Sequence, residues 1–264
     1  MTEKIHRSDI YGDLKNKDGK EAAPLIPAST VILLRDGAKT DDSDVSTSGE
    51  DVEVLMLQKN KNISFGGMWV FPGGRLDPED YAGDGREDAD LMHAALTAAV
   101  RETVEETALT VDPEEFVFFA HWTPPPGTPK RFSTWFFAAE ADNSKTASHH
   151  IEVDGQEILN HRWIRPRDAL ALHAKGEIDL APPTWITLYH IDKYPEVDLI
   201  LERFRSTSEK IYKTHVVKDK TGIRVAMWEG DAGYETWDAD VAGARHRLVM
   251  FEDGFVFENT AEEY

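Results

Sequence analysis

The sequence predicts an α/β fold, because strand-like and helix-like stretches follow one another in a mixed order. Three apolar or alternating runs come first, and a helix over residues 89–108 with an alanine-rich apolar stripe follows them. Two β-prone runs, a further strand and a proline-initiated helix continue the pattern. With 264 residues, of which 41% are apolar, the chain can bury a substantial core.

The individual elements are predicted from local signals. Strands are expected where apolar residues run together or alternate, over 28–35, 52–58, 68–71, 116–122, 132–139, 156–164, 223–228 and 247–258. Asp253-Gly254 marks a hairpin turn inside the last of these runs. Proline starts two short helices, over 167–175 and 182–191, and apolar spacing predicts another over 197–208. In the long helix, the predicted buried stripe consists of the alanines with Leu91, Leu96, Val100 and Val104.

These elements divide the chain into three regions. Residues 1–24 are polar and aperiodic, so we expect a loosely packed N-terminal arm. Residues 25–190 form the main domain, and an acidic, glycine-containing insertion at about 81–90 is interpreted as a surface loop. Residues 191–264 are expected to form a C-terminal α+β extension.

Charge and composition exclude several classes of function. With 49 acidic and 29 basic residues, the net charge of −20 argues against nucleic acid and anionic membrane as partners. The absence of cysteine excludes disulfides and thiolate metal sites. No apolar run has the length of a membrane span or the character of a signal peptide, so we expect a cytoplasmic enzyme. A small anionic substrate is compatible with the charge, and a homodimer remains open.

Three glutamates crowd one turn of the predicted long helix. Glu102, Glu105 and Glu106 lie three and four residues apart, so a helix places them on one face. Such a face is either a solvated acidic surface or a site for a hard divalent cation such as Mg²⁺ or Mn²⁺. Paired glycines after the third strand, Gly73-Gly74, allow close approach of backbone and can add carbonyl ligands.

Other charged residues stand near predicted loop ends. Lys130 and Arg131 end a proline-rich loop and are either phosphate ligands or ordinary surface cations. Glu157 stands at the entrance of the strand over 156–164, a position from which a carboxylate can face the glutamate cluster.

Together the glycines and glutamates resemble the Nudix box, G-x5-E-x7-R-E-U-x-E-E-x-G-U. Gly74 matches the first glycine, and the run from Arg101 to Leu109 matches the closing part. The sequence departs from the pattern in three ways: Asp80 replaces the first glutamate, 20 residues separate it from Arg101, and Ala108 replaces the last glycine. Softer matches, including FGGMWVFPGG, WTPPPGTPKRFSTWFF and APPTW, resemble the acyl-coenzyme-A diphosphatase branch with a lengthened box.

The resemblance implies an α/β/α sandwich around a mixed sheet and metal-dependent hydrolysis of a diphosphate linkage. It implies Mg²⁺ or Mn²⁺ held by Glu102, Glu105, Glu106 and the carbonyl of Gly73. Glu102 or Glu157 is then the general base, Arg101 belongs to the catalytic set, and Lys130 and Arg131 hold phosphate.

The substrate implied is a nucleoside-diphosphate derivative, with coenzyme A or an acyl-coenzyme A as the first choice. Two positions of the coenzyme A signature depart from it, because Lys59 and Ile63 stand where arginines are expected. ADP-ribose, a dinucleotide or an oxidised nucleotide is the alternative substrate. A Nudix-like module that binds a nucleotide without cleaving it is an alternative of another class, although three juxtaposed carboxylates argue against it.

Overall fold

The computed structural model describes residues 8, 10–11, 22–37, 51–62, 65–82, 88–141 and 157–261. Residues 83–87, half of the predicted insertion loop, lie outside this part of the chain, and so does Ile63. Within the described residues, no helix has both the length and the apolar character needed to cross a bilayer.

In the part of the chain that the structure describes, eight strands form the main sheet. They are β1 (Leu25–Asp36), β2 (Val52–Lys59), β3 (Trp69–Val70), β4 (Gly73–Arg75), β5 (Val117–Thr123), β6 (Arg131–Glu140), β7 (Ile158–Ile164) and β8 (Lys210–Lys213). The sheet is mixed, because β1 runs parallel to β6, and β5 runs parallel to β8, while the other pairs are antiparallel. The hairpin predicted from the first two apolar runs is confirmed by the pairing of Leu34 with Val54.

Helices cover both faces of this sheet. They are α1 (Asp88–Thr107), α2 (Pro166–Ala174), α3 (Pro182–Ile191) and α4 (Val197–Ser206). The side chains of Val31 and Leu33 point to the α1 face, whereas Ile32 and Leu34 join a core shared with α3 and α4. This alternation follows from the period of two in a strand that is buried on both faces. The predicted α/β/α sandwich around a mixed sheet is therefore confirmed.

The buried face of α1 confirms the alanines of the predicted stripe and differs from that stripe at the larger residues. Its fully buried apolar positions are Ala94, Ala95, Ala98 and Ala99, whereas Leu91, Leu96 and Val100 are only partly buried and Val104 is 45% exposed. Small side chains let the helix lie close to the sheet, so the larger residues stand at the margins of the contact. The prediction of Val104 as a core residue is wrong.

The chain after residue 191 packs into the same core. Strand β8 adds to the edge of the main sheet beside β5, and a four-stranded antiparallel sheet follows. This second sheet consists of β9 (His215–Lys218), β10 (Arg224–Met227), β11 (His246–Phe251) and β12 (Gly254–Asn259). The predicted hairpin at Asp253-Gly254 joins β11 to β12. Part of the N-terminal arm is also packed, since Tyr11 is buried in the core and the Ser8 hydroxyl donates to Asp179.

Candidate active site

The last turns of α1 bring two of the three glutamates into the protein. Glu106 is only 9% exposed, and the side chain of Glu102 is 13% exposed, whereas that of Glu105 is 58% exposed. The face predicted from the spacing therefore runs from solvent into the interior. The glutamate face is therefore not a simple solvated acidic surface, because Glu102 and Glu106 are largely shielded from solvent.

The paired glycines form the wall opposite these carboxylates. Gly73 lies in β4 with φ of 153°, and a Cβ there would overlap the backbone of Ser29 and Thr30 in β1. Its N–H donates to Glu106 Oε2 over 2.8 Å. Gly74 lies against the carboxylate of Glu102 so closely that a Cβ would overlap it. Glycine is required here because backbone and carboxylate approach without room for a side chain.

Arg101 connects the helix to the turn that follows β4. Its guanidinium forms a two-pronged contact with Asp80, with Nε–Oδ1 of 3.0 Å and Nη2–Oδ2 of 2.9 Å. The same group donates to Glu102 Oε1 and Glu105 Oε2 over 2.8 and 3.0 Å. Asp80 is 3% exposed. Burial raises its pKa, but hydrogen bonds from Arg101 and from the backbone of Asp77 outweigh burial and hold the pKa below its usual value.

Burial dominates the electrostatics of the two inner glutamates. It raises the pKa of Glu106 to about 7, although the charge of Lys59 and the N–H of Gly73 oppose the shift. Lys59 Nζ lies 3.4 Å from Glu106 Oε1. Burial also raises the pKa of Glu102, against the opposing effect of Arg101. Both carboxylates are therefore short of compensating positive charge.

A cleft of about 1270 Å³ gathers almost all of the predicted site residues. Those that line it are Gly73, Arg101, Glu102, Glu105, Glu106, Lys130 and Glu157. They come from β4, α1, the loop before β6 and the residue before β7, segments far apart in sequence. The fold therefore brings these seven residues together in one cleft.

Arg131 is the predicted site residue that does not line this cleft. Its guanidinium donates to the carbonyl oxygens of Ala23 and Pro124, each over 3.1 Å. It thereby ties the start of β1 to the proline-rich loop. Consecutive residues entering a strand point in opposite directions, which separates Arg131 from Lys130.

Two charged residues of the site were not given a role by sequence reasoning. Asp80 was placed in the motif without one, and its partner is Arg101. Lys59 departs from the substrate signature, yet its Nζ forms an ion pair with Glu106.

The residues present fit a hard divalent cation by their chemistry. Among the described residues, no three acidic or histidine side chains already converge as a metal cage. Arg101 contacts both Glu102 and Glu105, so it supplies part of the positive charge there. The buried carboxylates of Glu102 and Glu106 nevertheless lack full compensation, and carboxylate oxygens are the ligands that Mg²⁺ and Mn²⁺ prefer.

Known proteins were compared with this chain by family model, by sequence and by fold. The family model of the NUDIX domain matches residues 43–184, more than half of the chain. A NUDIX hydrolase from Alicyclobacillus acidocaldarius is 22% identical with a TM-score of 0.55, over 71% of this chain and 98% of that chain. A MutT NUDIX hydrolase from Burkholderia pseudomallei is 16% identical with a TM-score of 0.41, over 63% and 98%. An Ap4A hydrolase from C. elegans is 20% identical with a TM-score of 0.32, over 68% and 96%. Comparison with curated proteins gave no match.

Proposed function

Because the chain belongs to the Nudix family, we propose that it hydrolyses the diphosphate of coenzyme A or an acyl-coenzyme A with the help of Mg²⁺ or Mn²⁺. The family consists of hydrolases that act on phosphorus anhydrides in nucleoside-diphosphate derivatives and generally use divalent metal ions. One observation carries the proposal: two buried glutamates face a glycine turn inside a cleft that also holds Lys59 and Lys130.

The residues that would hold the cation are Glu102, Glu105 and Glu106, with the carbonyl oxygen of Gly73. When bound, a divalent ion neutralises phosphate oxygens and lowers the pKa of bound water. Arg101 is assigned a positioning role, because its contacts with Asp80 and two of the glutamates fix the end of α1 against β4.

The reaction needs a general base and positively charged groups that bind the phosphates. Water adds its oxygen to one phosphorus, the bridging P–O bond breaks, and the departing phosphate retains the electron pair. Glu157 is proposed as the group that takes the proton from water, and Glu102 is the second candidate. Both line the cleft. Lys130 is the proposed phosphate ligand, whereas Arg131 is left out because its guanidinium holds backbone carbonyls.

The wall away from α1 supports an elongated, partly apolar substrate. Aromatic side chains of Tyr11, Phe71, Trp122 and Phe136 line the cleft there. Pantetheine and acyl groups suit such a wall, because burial of apolar surface contributes about 25 cal/mol per Å². This arrangement favours a coenzyme A derivative over a nucleoside triphosphate, which has no apolar tail.

A second substrate class, ADP-ribose or a dinucleotide, is favoured by a pair of rings at the cleft. Phe65 and Phe132 both line it, with ring centroids 6.1 Å apart, and Phe65 is 38% exposed. Exposed aromatic faces stack readily on bases, by about 1–3 kcal/mol per base.

The deciding experiment incubates the protein and Mg²⁺ with coenzyme A, acyl-coenzyme A, ADP-ribose, dinucleotides and nucleoside triphosphates. Products are identified by mass spectrometry, and kcat/KM is compared. We expect coenzyme A derivatives to be cleaved fastest, into 3′,5′-ADP and a phosphopantetheine. Faster cleavage of ADP-ribose would refute the coenzyme A assignment and leave diphosphate hydrolysis in place.

A further inference from the structure

Ser29 in β1 carries a buried hydroxyl at the edge of the hydrolytic cleft. The residue is only 1% exposed, and its Oγ has no hydrogen-bond partner among the described residues. Ser29 nevertheless belongs to the lining of the cleft. Buried hydroxyls in folded proteins almost always have a partner, so an exception calls for a physical reason.

The strand register places this hydroxyl on the face of the sheet that carries the glutamates. Ser29 lies directly opposite Gly74 in the antiparallel pair of β1 and β4. In such a pair the two Cβ positions share a face and lie about 4.5–5.5 Å apart. A Cβ at Gly74 would lie 2.8 Å from Glu102 Oε2. Val31, two residues further along β1, packs in the core on the α1 side, which confirms the direction of Ser29.

The carboxylate of Glu102 accepts a hydrogen bond on one of its two oxygens. Its Oε1 accepts from Arg101 Nη1 over 2.8 Å, and its side chain is only 13% exposed. Among the described residues, no donor is hydrogen-bonded to its Oε2. An ionised carboxylate has about four acceptor positions on its two oxygens. A buried donor and a largely buried acceptor therefore stand on the same side of the sheet.

We propose that Ser29 is a positioning residue of the hydrolytic site, whose hydroxyl donates a hydrogen bond to the carboxylate of Glu102 when Glu102 holds a divalent cation. The inference rests on the proposed function, because it takes Glu102 as a ligand of Mg²⁺ or Mn²⁺. Hydrogen bonds from outer groups orient ligating carboxylates, and losing one typically lowers metal affinity about 10–100-fold. The hydroxyl needs no access to solvent for this role, because its acceptor belongs to the protein.

A neutral donor suits this task better than a guanidinium. Arg101 contacts both Glu102 and Glu105, and its positive charge repels a cation bound to the same carboxylates. A serine hydroxyl adds a hydrogen bond without that repulsion, and it can turn about its Cβ–Oγ bond to meet the acceptor. Because a buried hydroxyl without a partner lowers stability, its removal should not destabilise the fold. Metal affinity and stability should therefore respond differently to the loss of this hydroxyl.

The test is titration of the full chain with Mn²⁺ alone, followed by the electron paramagnetic resonance signal of free Mn²⁺, together with thermal unfolding in EDTA. Ser29→Ala removes the hydroxyl, and Ser29→Thr retains it. Ser133→Ala is the matched control, because Ser133 is also buried, in β6, but its Oγ is hydrogen-bonded to His121 Nε2 over 2.8 Å. Glu106→Gln is the control for loss of a proposed metal ligand.

We expect Ser29→Ala to bind Mn²⁺ about tenfold more weakly than the wild type. Its melting temperature should rise or stay within about 2 °C of the wild type. Ser29→Thr should retain the affinity of the wild type for Mn²⁺. Ser133→Ala should also retain that affinity, but it should melt about 2–4 °C lower because it loses a buried hydrogen bond.

The outcomes distinguish this inference from the proposed function. Wild-type affinity in Ser29→Ala, together with loss of binding in Glu106→Gln, overturns the role of Ser29 and leaves the metal assignment in place. A folded Ser29→Thr that binds as weakly as Ser29→Ala assigns the effect to packing and also overturns that role. Absence of Mn²⁺ binding by the wild type overturns the metal assignment and this inference with it.

Discussion

Alanine substitution of the two adjacent glycines should have opposite effects. In Gly74→Ala, the three atoms nearest the new Cβ belong to the carboxylate of Glu102, which is the far end of a flexible side chain and is held by Arg101. That carboxylate can rotate away, so the fold survives while a proposed metal ligand is displaced. In Gly73→Ala, the Cβ meets the backbone of Ser29 and Thr30, which cannot rotate away, and φ of 153° disfavours any other residue.

The magnitudes follow from these contacts. For Gly74→Ala, loss of one positioned charge should lower kcat about 10²-fold or more. Its free energy of unfolding should change by less than about 1 kcal/mol, since the stiffer unfolded chain offsets the lost contact of Glu102 with Arg101. For Gly73→Ala, backbone strain and overpacking together should cost about 2–6 kcal/mol.

Two assays on matched samples test this reasoning. Thermal unfolding without metal should show Gly73→Ala at least about 4 °C below the wild type and Gly74→Ala within about 4 °C of it. Steady-state kinetics with Mg²⁺ and the best diphosphate substrate should show the loss of kcat in the folded Gly74→Ala variant. Unchanged kcat in Gly74→Ala, or a greater loss of stability there than in Gly73→Ala, would refute the argument.

Three further predictions concern single charges. Glu106→Gln should lower kcat about 10²-fold or more, and EDTA should abolish wild-type activity, both measured by product release; full activity in EDTA would contradict the metal assignment. Lys130→Ala should reduce kcat/KM for coenzyme A more than for dephospho-coenzyme A if Lys130 meets the 3′-phosphate, whereas Arg131→Ala should mainly lower the melting temperature. Asp231 forms a buried pair with Arg247, and although burial raises its pKa, the hydrogen bonds from Arg247 and the backbone lower it overall. The stability that the Asp231 carboxylate contributes should therefore be complete above pH 3.8 and lost as pH falls further. Denaturant titrations should find Asp231→Asn about 3–5 kcal/mol less stable than the wild type at pH 7. This loss of stability between pH 3.8 and lower pH should be absent from the variant.

The order of strands and helices was predictable because the apolar runs are long and their periods are clear. The helix predicted over 89–108 is found at Asp88–Thr107, and the one predicted from Pro182 to Ile191 has those bounds. The buried face of α1 was predictable in part: the alanines of the predicted stripe are buried, but Val104 is 45% exposed. Close contact with Val31 and Leu33 in the sheet favours the small side chains of Ala95 and Ala99.

Strands β8 and β9 were missed because both are short; β8 in addition pairs with a distant strand, whereas β9 pairs with the nearby β10. Each has four residues, including lysines, and neither carries a sequence pattern long enough to read. Ala120 of β5 pairs with Lys210, 90 positions later, and that long-range contact decides the conformation. A charged four-residue strand at a sheet edge is common in folded proteins, where charge blocks further pairing.

The glutamates and glycines of the site were identifiable from spacing, but the directions of single side chains were not. Lys130 and Arg131 are chemically alike and adjacent, yet one lines the cleft and the other holds two backbone carbonyls. The partner of Asp80 was likewise hidden, because 20 residues separate it from Arg101 in sequence. Only the folded chain brings the two together.

The ion pair between Arg101 and Asp80 has a consequence for how this chain can be altered. It fixes the residue that precedes the insertion against the helix that follows it, independently of the number of residues between them. The entropic cost of closing a flexible loop rises only slowly with length, by about 0.6 kcal/mol for each doubling. The chain thus has a built-in insertion point: a reporter domain can be placed between Asp80 and the start of α1 while the ion pair keeps Asp80 against that helix. Any strain that the inserted domain exerts would be transmitted first to Arg101. The hydrolase activity would then report the conformational state of the inserted domain.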